Sequence, residues 1–295
     1  MEKASEWLNS FNSSYEGQFT ELTSSSTKTV SKAQKISVTG GKGGVGKTSI
    51  SLKMSLEMAA LGNKVLLIDC DYNLSNTAIK LGLPIDNTFY SLVSAEKTFE
   101  ECLYKDGSFH LLSACNGSLE LFDTNFRLEQ LIVDIISSHE QDYDYIFLDC
   151  PAGLSRETLT LNAYCDHRVM IVTPDQASIT DSYSLIKVLN KKFGISENHL
   201  VVNMLNNKQQ YSRVVKTLSE TIENYLGCRT KVLGGIKKLD TLAGQFDKHF
   251  LEAGKNGHHL NFLKVVKRFA DEIGRKSIVE LIPTHLNELK EQEVH

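Results

Sequence analysis

The fold is decided by the stretch Gly40-Gly41-Lys42-Gly43-Gly44-Val45-Gly46-Lys47-Thr48-Ser49. It follows a short apolar run at 36–39 and opens a segment of helical length at 48–62. A strand, a glycine-rich loop and a helix in this order are the setting of the phosphate-binding motif G-x-x-x-x-G-K-[ST], with Gly41 and Gly46 at its two glycine positions. Glycines let a loop turn tightly and aim backbone N–H groups at phosphate oxygens. The sequence therefore predicts a nucleoside-triphosphate site at residues 41–49.

Three side chains of this loop have predicted roles at that site. Lys47 should reach the β- and γ-phosphates, and the Thr48 hydroxyl should bind Mg²⁺. The helix that begins near Thr48 turns the positive end of its dipole toward the same anion. Lys42 adds a second positive charge where negative charge builds up during phosphoryl transfer.

Short apolar runs alternate with helix-length segments from residue 35 onward. The runs are uninterrupted, which is typical of strands buried on both faces of a parallel sheet. Further runs lie at 65–68, 110–112, 145–148, 169–173, 200–203 and 232–236, and further helix-length segments lie at 123–139, 178–193 and 208–226. This alternation predicts an α/β fold with a doubly wound, mostly parallel sheet and helices on both faces.

Acidic residues follow two of the apolar runs. Asp69 and Asp71 come after the run at 65–68, and Asp149 comes between the run at 145–148 and the turn Pro151-Ala152-Gly153. Ligands of open α/β sheets bind beyond the carboxyl ends of the strands, so both acidic clusters should face the phosphate loop.

The loop with its two lysines, Lys42 and Lys47, together with these strand ends, resembles the deviant Walker motif of the MinD/ParA family of dimeric ATPases. The resemblance covers residues 35–275 and implies a P-loop NTPase of the SIMIBI class. It also implies ATP or ADP with Mg²⁺ as ligands, and a homodimer in the ATP state. In that family the lysine at the position of Lys42 reaches the phosphates of the partner.

The resemblance further implies roles for the acidic residues. Asp149 would hold Mg²⁺ through a water molecule, and Asp69 would help Thr48 to organise the metal. Asp71 would orient the attacking water and act with Lys42 and Lys47 as a catalytic residue. A carboxylate in that role must lie within hydrogen-bond reach of the water.

Four more residues match positions of the family. Asn76 corresponds to an asparagine of the first switch region, whereas Pro151 and Gly153 belong to the second, whose glycine N–H can sense the γ-phosphate. Asn203 follows the apolar run that begins at 200, and the family reads the adenine edge with an asparagine there, since an amide offers a donor and an acceptor. The next loop, Lys237-Lys238-Leu239-Asp240, departs from the family because it lacks a proline.

Residues 172–187 are most similar to the FlhG (FleN) branch of the family, the regulators of flagellum number. This likeness implies a slow ATPase that is stimulated by a partner or by the membrane and controls the number and placement of flagella. The ATP dimer would bind the membrane, an FlhF-like GTPase and other flagellar proteins, and hydrolysis would return it to the ADP monomer. The Asp-Gln-Ala motif with which many FlhG proteins stimulate FlhF is missing from residues 1–34.

Composition divides the 295 residues into three parts and bounds the function. Residues 1–34 are rich in Ser and Thr and are expected to be a flexible tail, in which the segment 7–19 has the spacing of a partner-binding helix. Residues 35–276 are expected to form the ATPase domain, and 277–295 a C-terminal tail with apolar residues at amphipathic spacing. The N-terminus lacks the apolar run of a secretory signal, which predicts a cytoplasmic chain, peripheral on the inner face of the membrane where it binds lipid.

The C-terminal region leaves two interpretations open. Apolar residues at helical spacing, flanked by Lys264, Lys267 and Arg268, resemble a basic amphipathic membrane anchor. The other interpretation is a last helix packed on the sheet, which the residues that follow it favour. The stripe consists of Phe262, Val265, Val266, Phe269, Ala270 and Ile273.

Three other functions remain as alternatives. A ParA-type partition ATPase would bind DNA nonspecifically, and the net charge of −4 leaves room for a local basic patch. The candidate residues for such a patch are Lys191, Lys192, Arg213, Lys216, Lys231, Lys237 and Lys238. An iron–sulfur carrier is less favoured because none of the six cysteines forms a Cys-x-x-Cys pair, and free buried thiols are expected instead. A scaffold that binds nucleotide without hydrolysing it is the third alternative.

Overall fold

An eight-stranded sheet forms the centre of the part of the chain that the computed structural model describes, namely residues 32–71, 77–84, 88–113, 127–241, 245–254 and 257–274. The strands are β1 (Gln34–Thr39), β2 (Val65–Asp69), β3 (Leu103–Asp106), β4 (Phe109–Leu112), β5 (Tyr145–Asp149), β6 (His167–Val172), β7 (Glu197–Leu205) and β8 (Arg229–Lys237). The helices are α1 (Lys47–Ala60), α2 (Thr77–Lys80), α3 (Thr88–Val93), α4 (Leu128–His139), α5 (Arg156–Tyr164), α6 (Gln176–Phe193), α7 (Lys208–Leu226), α8 (Phe246–Leu251) and α9 (Gly257–Glu272).

The strand order places the phosphate loop at the switch point, where the chain changes from adding strands on one side of β1 to adding them on the other. The order is β3-β4-β2-β5-β1-β6-β7-β8, and every neighbouring pair is parallel except β3 with β4. The central β1 pairs with β5 on one side and with β6 on the other; strands β2 to β5 lie on the first side and strands β6 to β8 on the second. Such a switch point opens a crevice at the carboxyl ends of the strands, and the loop that follows β1 lies there.

Helices cover both faces of the sheet, as the uninterrupted apolar runs predict. Every residue of β2 and of β5 is buried, which requires cover on both sides. On one face α1, α8 and α9 pack on residues such as Val38 and Leu67. On the other face α4 and α5 cover Ile68 and Leu148, while α6 and α7 cover Val172 and Leu200. The predicted fold class is confirmed.

The apolar stripe of α9 lies in the core. Phe262, Val265, Val266, Phe269 and Ala270 are each at most 2% exposed. They belong to the same cluster as residues of α1 and β8, and the Arg268 guanidinium donates to the Leu233 carbonyl at 3.1 Å. In this structure the helix therefore packs on the sheet, and its stripe is not available as a membrane anchor.

The sequence did not predict strand β3, helix α5 or the short helices α2, α3 and α8, and the first two show why. Strand β3 is an edge strand whose last three residues are exposed, so it carries no apolar run to mark it. Helix α5 has only nine residues and begins at a capping serine, Ser155, whose hydroxyl accepts from the Thr158 N–H at 3.2 Å. Neither feature produces a strong periodic signal, which explains why both were missed.

Several predictions fall on residues outside the described ranges. These are the tail to residue 31 with its segment 7–19, Asn76 of the first switch region, Cys115 and the tail at 277–295. The other five cysteines are free and buried, as expected. No helix among the described residues combines the length and the apolar character needed to cross a membrane.

A pair of histidines lies under α9 at the amino-terminal edge of the sheet. The His199 ring is buried, 5.6 Å from the His167 ring and 5.3 Å from the Phe269 ring between centroids. Burial lowers the pKa of His199 to about 4, and His167 and Lys231 act in the same direction while Glu197 opposes them. Since folding favours the neutral imidazole, the fold loses stability when the pH falls below the ordinary histidine pKa of about 6.5.

We expect the free energy of unfolding to fall by roughly 2.5 kcal/mol between pH 7.5 and pH 4.5 through His199 alone. The effect is absent above pH 6.5 and levels off below the folded-state pKa. Urea unfolding at four pH values should therefore show a flatter pH dependence for His199→Leu than for the natural chain. His258→Leu, which replaces an exposed histidine of α9, is the control, and identical profiles for all three proteins would contradict the assignment.

Candidate nucleotide site

The phosphate loop joins β1 to α1 and turns at two glycines with positive φ, Gly44 (75°) and Gly46 (94°). Gly46 precedes the first residue of α1, and its carbonyl accepts the Ile50 N–H at 3.1 Å. The first-turn N–H groups of a helix have no acceptor within the helix, and they carry the positive end of its dipole. The loop and the start of α1 therefore form a cradle for an anion, as the sequence predicts.

Two glycines are required because other elements lie against the loop. A Cβ on Gly41 would overlap the backbone of Asp181 in α6. A Cβ on Gly46 would lie 2.5 Å from the side-chain nitrogen of Asn203, which donates to the Val45 carbonyl at 2.8 Å. The buried Asn203 amide thus braces the loop from β7. The prediction that Asn203 reads adenine is not tested by this contact, but its nitrogen already has a partner in the loop.

Lys47 points into the loop, where its charge is partly desolvated. Its ammonium group donates to the Lys42 carbonyl at 3.5 Å. Burial lowers the pKa of Lys47, while the nearby Asp149, Cys150 and Asp71 act against this. A cation held among carboxylates at the mouth of an anion cradle is suited to bind phosphate oxygens.

Asp149 is fully buried at the end of β5, beside the same lysine. Burial raises the pKa of Asp149 to about 6, against the effect of the Thr48 and Ser51 hydroxyls and of Lys47. One carboxylate oxygen, Oδ1, has no hydrogen-bond partner among the described residues. A buried acceptor without a donor is costly unless something else binds it.

This orphaned oxygen and the Thr48 hydroxyl fit the predicted Mg²⁺ site. Mg²⁺ keeps several waters and takes one or two protein oxygens together with phosphate oxygens of the substrate. The described residues contain no cluster of three or more His, Cys, Asp and Glu that could hold a metal without such help. One carboxylate oxygen and one hydroxyl are a donor set that suits a metal arriving with a nucleotide.

Asp69 and Asp71 follow β2, the neighbour of β5, and Asp69 lies in register with Asp149. Both oxygens of Asp69 accept hydrogen bonds from the chain, one from the Asp71 N–H at 3.0 Å and one from the Thr77 hydroxyl. Asp69 is thus placed beside the predicted metal site, and its two oxygens hold Asp71 and Thr77. Asp71 is near enough to Lys47 and Asp149 to influence the pKa of each.

Lys42 lies at the rim of the loop in an ion pair. Its ammonium group is 2.8 Å from Oδ1 of Asp175, and both side chains are more than 40% exposed. Asp175 also caps α6 by accepting the Ser178 N–H and takes the Thr173 hydroxyl on its other oxygen. Partial burial raises the pKa of Asp175, but the hydrogen bonds from Lys42, Thr173 and Ser178 outweigh it and lower the pKa to about 2.

A cleft of about 280 Å³ opens beside Lys42 and the loop. Its lining includes Met204, Asn206 and Gln210, which have no predicted role in binding, and Lys238, which was predicted only as part of a DNA-binding patch. The pair Asn206-Asn207 is the sequence signal for this part of the cleft, because asparagine favours the position before a helix and Asn207 caps α7. Lys238 belongs to the loop at 237–240, which lacks the proline that the family has there. A lysine therefore lines the side of the cleft where the nucleotide base is expected.

The second switch region contacts the phosphate loop directly. The Gly153 N–H lies 3.5 Å from the Gly40 carbonyl, and Gly153 has a φ of 92°. Pro151 lies between this glycine and Asp149, and its carbonyl is 3.5 Å from the Thr158 hydroxyl of α5. The Gly153 N–H thus lies against the residue that opens the loop, and its response to a γ-phosphate stays a prediction.

The fold and this constellation define a P-loop nucleotide-binding protein. The model of the AAA_31 family, whose description is AAA domain, matches residues 33–202, and the chain belongs to this family as a P-loop ATPase of the MinD/ParA group.

The chain is also similar to individual relatives and solved structures. The antiactivator FleN of Pseudomonas aeruginosa is 28% identical over 204 residues, which cover 69% of this chain and 73% of FleN. The structure of MinD from Pyrococcus horikoshii in complex with Mg-ADP matches with a TM-score of 0.67 and 19% identity, covering 83% of this chain and 98% of that one. MinD in the MinC:MinD complex of Aquifex aeolicus matches with a TM-score of 0.62 and 26% identity over 81% and 96% of the two chains.

We expect Gly46→Ala to lower nucleotide affinity roughly 100-fold, because the new Cβ meets Asn203 and the backbone is left-handed. Gly44→Ala is the matched control, since Gly44 has a similar φ but no atom within 4 Å of its Cβ position. The control should lose less than about tenfold, from backbone strain alone. Titration with a fluorescent ATP analogue measures both, and equal losses would show that the Asn203 contact is not what requires the glycine.

Proposed function

We propose that this chain is an FlhG-like switch ATPase, which binds Mg²⁺ and ATP as a homodimer, hydrolyses ATP slowly and returns to an ADP-bound monomer. The observation that carries the proposal is the convergence of Lys47, Thr48, Asp71 and Asp149 on one glycine loop, with Lys42 at its rim. The FleN relative, which matches more than two thirds of the chain, supports the FlhG branch.

In this proposal the groups of the loop divide the work of phosphoryl transfer. The loop N–H groups and Lys47 bind the β- and γ-phosphates, while Thr48 and Asp149 hold the metal, which neutralises phosphate charge when it is bound. Asp71 orients the attacking water from the end of β2, and Asp69 fixes the backbone of Asp71 by accepting its N–H. The chemistry then depends on positioning and on charge stabilisation.

The position of Lys42 supports a dimeric active form. Its ion pair with Asp175 is exposed at the rim of the cleft, and exposed ion pairs contribute at most about 1 kcal/mol. Lys42 can therefore leave Asp175 for a phosphate at small cost. Since the rim faces solvent, a second copy of the chain could receive this lysine at its own nucleotide.

The cellular role that we propose is control of flagellum number or placement, and FleN similarity is its basis. The partners would be an FlhF-like GTPase and other flagellar proteins, with stimulation of hydrolysis by a partner or by the membrane. Because the stripe of α9 is buried, we assign lipid contact to residues 277–295, whose apolar positions include Leu281 and Ile282.

Asp71→Ala should trap an ATP dimer, because nucleotide and metal still bind while the attacking water loses its orienting group. Lys42→Ala should bind ATP and stay monomeric, and Lys47→Ala should not bind ATP. Multi-angle light scattering with ATP and Mg²⁺ distinguishes the three results. A monomeric Asp71→Ala protein at saturating ATP would contradict the switch, and an Asp71→Ala protein with unchanged turnover would contradict the role of Asp71.

The runner-up function is a ParA-type partition ATPase, and exposed lysines on two packed helices favour it. Lys191 and Lys192 lie in the last turn of α6, Lys216 lies on α7, and all three are exposed. Of the other predicted patch residues, Lys231 is paired with Glu197 and Glu272, and the Arg213 guanidinium donates to the Pro174 carbonyl. The basic surface is thus smaller than the sequence suggests.

Co-sedimentation of Asp71→Ala with anionic liposomes or with DNA, in ATP and in ADP at two salt concentrations, separates the two functions. We expect ATP-dependent pelleting with liposomes and none with DNA. The further substitution Ile282→Glu should abolish the pelleting, whereas Lys191→Glu should not. Salt-sensitive DNA binding that Lys191→Glu removes would instead favour the partition class.

A further inference from the structure

One carboxylate of α8 links two segments of the nucleotide site. Oδ1 of Asp247 accepts the Ser49 hydroxyl at 3.3 Å and lies 2.7 Å from the ammonium group of Lys80. The Asp247 and Lys80 side chains are 33% and 20% exposed, so this ion pair is partly shielded from solvent. Neither Asp247 nor Lys80 belongs to a motif of the sequence.

The partners of Asp247 belong to the metal and phosphate side of the site. Ser49 follows Thr48 in the first turn of α1 and is buried. Its hydroxyl is directed to α8, which leaves its backbone N–H as the group that can serve a phosphate. The phosphate-loop motif predicts Ser49 as a nucleotide-binding residue but does not say which of these two groups binds.

Lys80 connects Asp247 to the end of β2. It is the last residue of α2, whose first residue, Thr77, hydrogen-bonds to Asp69. Asp69 in turn holds the backbone of Asp71. A continuous series of contacts therefore runs from the end of β2 through α2 and Asp247 to the start of α1.

The opposite end of α8 is fixed more firmly. The Lys53 ammonium group, which is 1% exposed, donates to the carbonyls of Leu251 and Glu252 at 3.0 Å each and pairs with Glu57 at 3.0 Å. Phe250 of the same helix packs edge-on against Phe262 of α9, with ring centroids 5.7 Å apart. Helix α8 is thus clamped to α1 and α9 at its carboxyl end and held by the Asp247 ion pair at its amino end.

We propose that Asp247 is a positioning residue for the nucleotide site, which holds α2 at a fixed position against α1 and transmits movement of α2 to α8 and α9. The inference rests on the proposed function, because nucleotide and metal supply the movement. The contacts of Asp247 are with Ser49 and Lys80. It acts through Ser49 and Lys80, and through the Thr77–Asp69 contact it supports the position of Asp71.

Hydrogen–deuterium exchange measured by mass spectrometry tests this link in the full-length chain, free, with MgADP and with MgATP. In the natural protein MgATP should slow exchange in the phosphate loop at 40–50 and also in α8 and α9. In Asp247→Ala the slowing at 40–50 should remain, whereas that in α8 and α9 should disappear. Lys80→Met removes the other half of the ion pair without touching Ser49 and should give the same pattern.

Steady-state kinetics provide a second readout that a purely structural defect would not give. Asp247→Ala should lower kcat roughly tenfold with KM changed less than about threefold, because a misplaced segment affects the orientation of water more than binding. The double variant Asp247→Ala with Lys80→Met should lose no more than the single variants do, since both remove the same link.

The control is Glu197→Ala, which breaks an ion pair of matching exposure at the opposite edge of the sheet. Glu197 lies 2.7 Å from Lys231, and the two side chains are 38% and 22% exposed. This variant should keep the exchange pattern and the kcat of the natural chain. Thermal unfolding of all variants identifies any that fail to fold, and Lys80→Met then carries the test in place of Asp247→Ala.

The outcomes separate the inference from the proposed function. If MgATP fails to slow exchange even at 40–50 in the natural chain, the chain does not bind ATP there and both fail. If 40–50 is protected but α8 and α9 are unchanged, nucleotide binds and the link is wrong. Protection of α8 and α9 that survives Asp247→Ala and Lys80→Met would likewise overturn the role of Asp247.

Discussion

The close contact between the phosphate loop and the two elements behind it is the constraint on which the nucleotide site depends. Gly41 lies against the backbone of α6, and Gly46 lies against the Asn203 amide of β7. The loop can approach this closely only because it has no side chains at these positions. Because α6 and β7 pack on the buried sheet, their contacts hold the loop in one conformation. The first-turn N–H groups of α1 are therefore directed at a single position.

Burial at that point has an electrostatic consequence. Lys47 and Asp149 are both shielded from water. Desolvation lowers the pKa of Lys47 and raises the pKa of Asp149, so it favours the neutral form of each. Their mutual attraction offsets part of this cost, but Oδ1 of Asp149 still has no donor among the described residues. A buried carboxylate oxygen without a donor lowers the stability of the fold, and a phosphate-bound metal would supply the missing partner. This is the physical reason to regard the arrangement as functional rather than structural.

The sequence predicted what depends on local pattern and missed what depends on long-range contact. The uninterrupted runs of β2 and β5, and the loop with its glycines at 41 and 46, have local signals, and the fold class followed from them. Asp175 as the partner of Lys42, and Lys238 in the lining of the cleft, come from elements more than 100 residues along the chain. The spacing of residues in a sequence cannot place such pairs. The stripe of α9 shows a further limit, because helical spacing gives the same pattern for a core helix and a membrane anchor.

The burial of α9 also changes how nucleotide binding could be communicated to the rest of the molecule. An exposed amphipathic helix could bind a surface by itself, whereas α9 is covered by the sheet and by α1 and responds only to what moves against it. Its neighbour α8 is held to α1 by a buried lysine at one end and by a partly exposed ion pair at the other. Because shielding makes the Lys53 contacts harder to break than the Asp247–Lys80 pair, the amino end of α8 is the end that can shift. The Asp247–Lys80 ion pair is therefore the point at which a rearrangement after β2 would first reach the C-terminal helices.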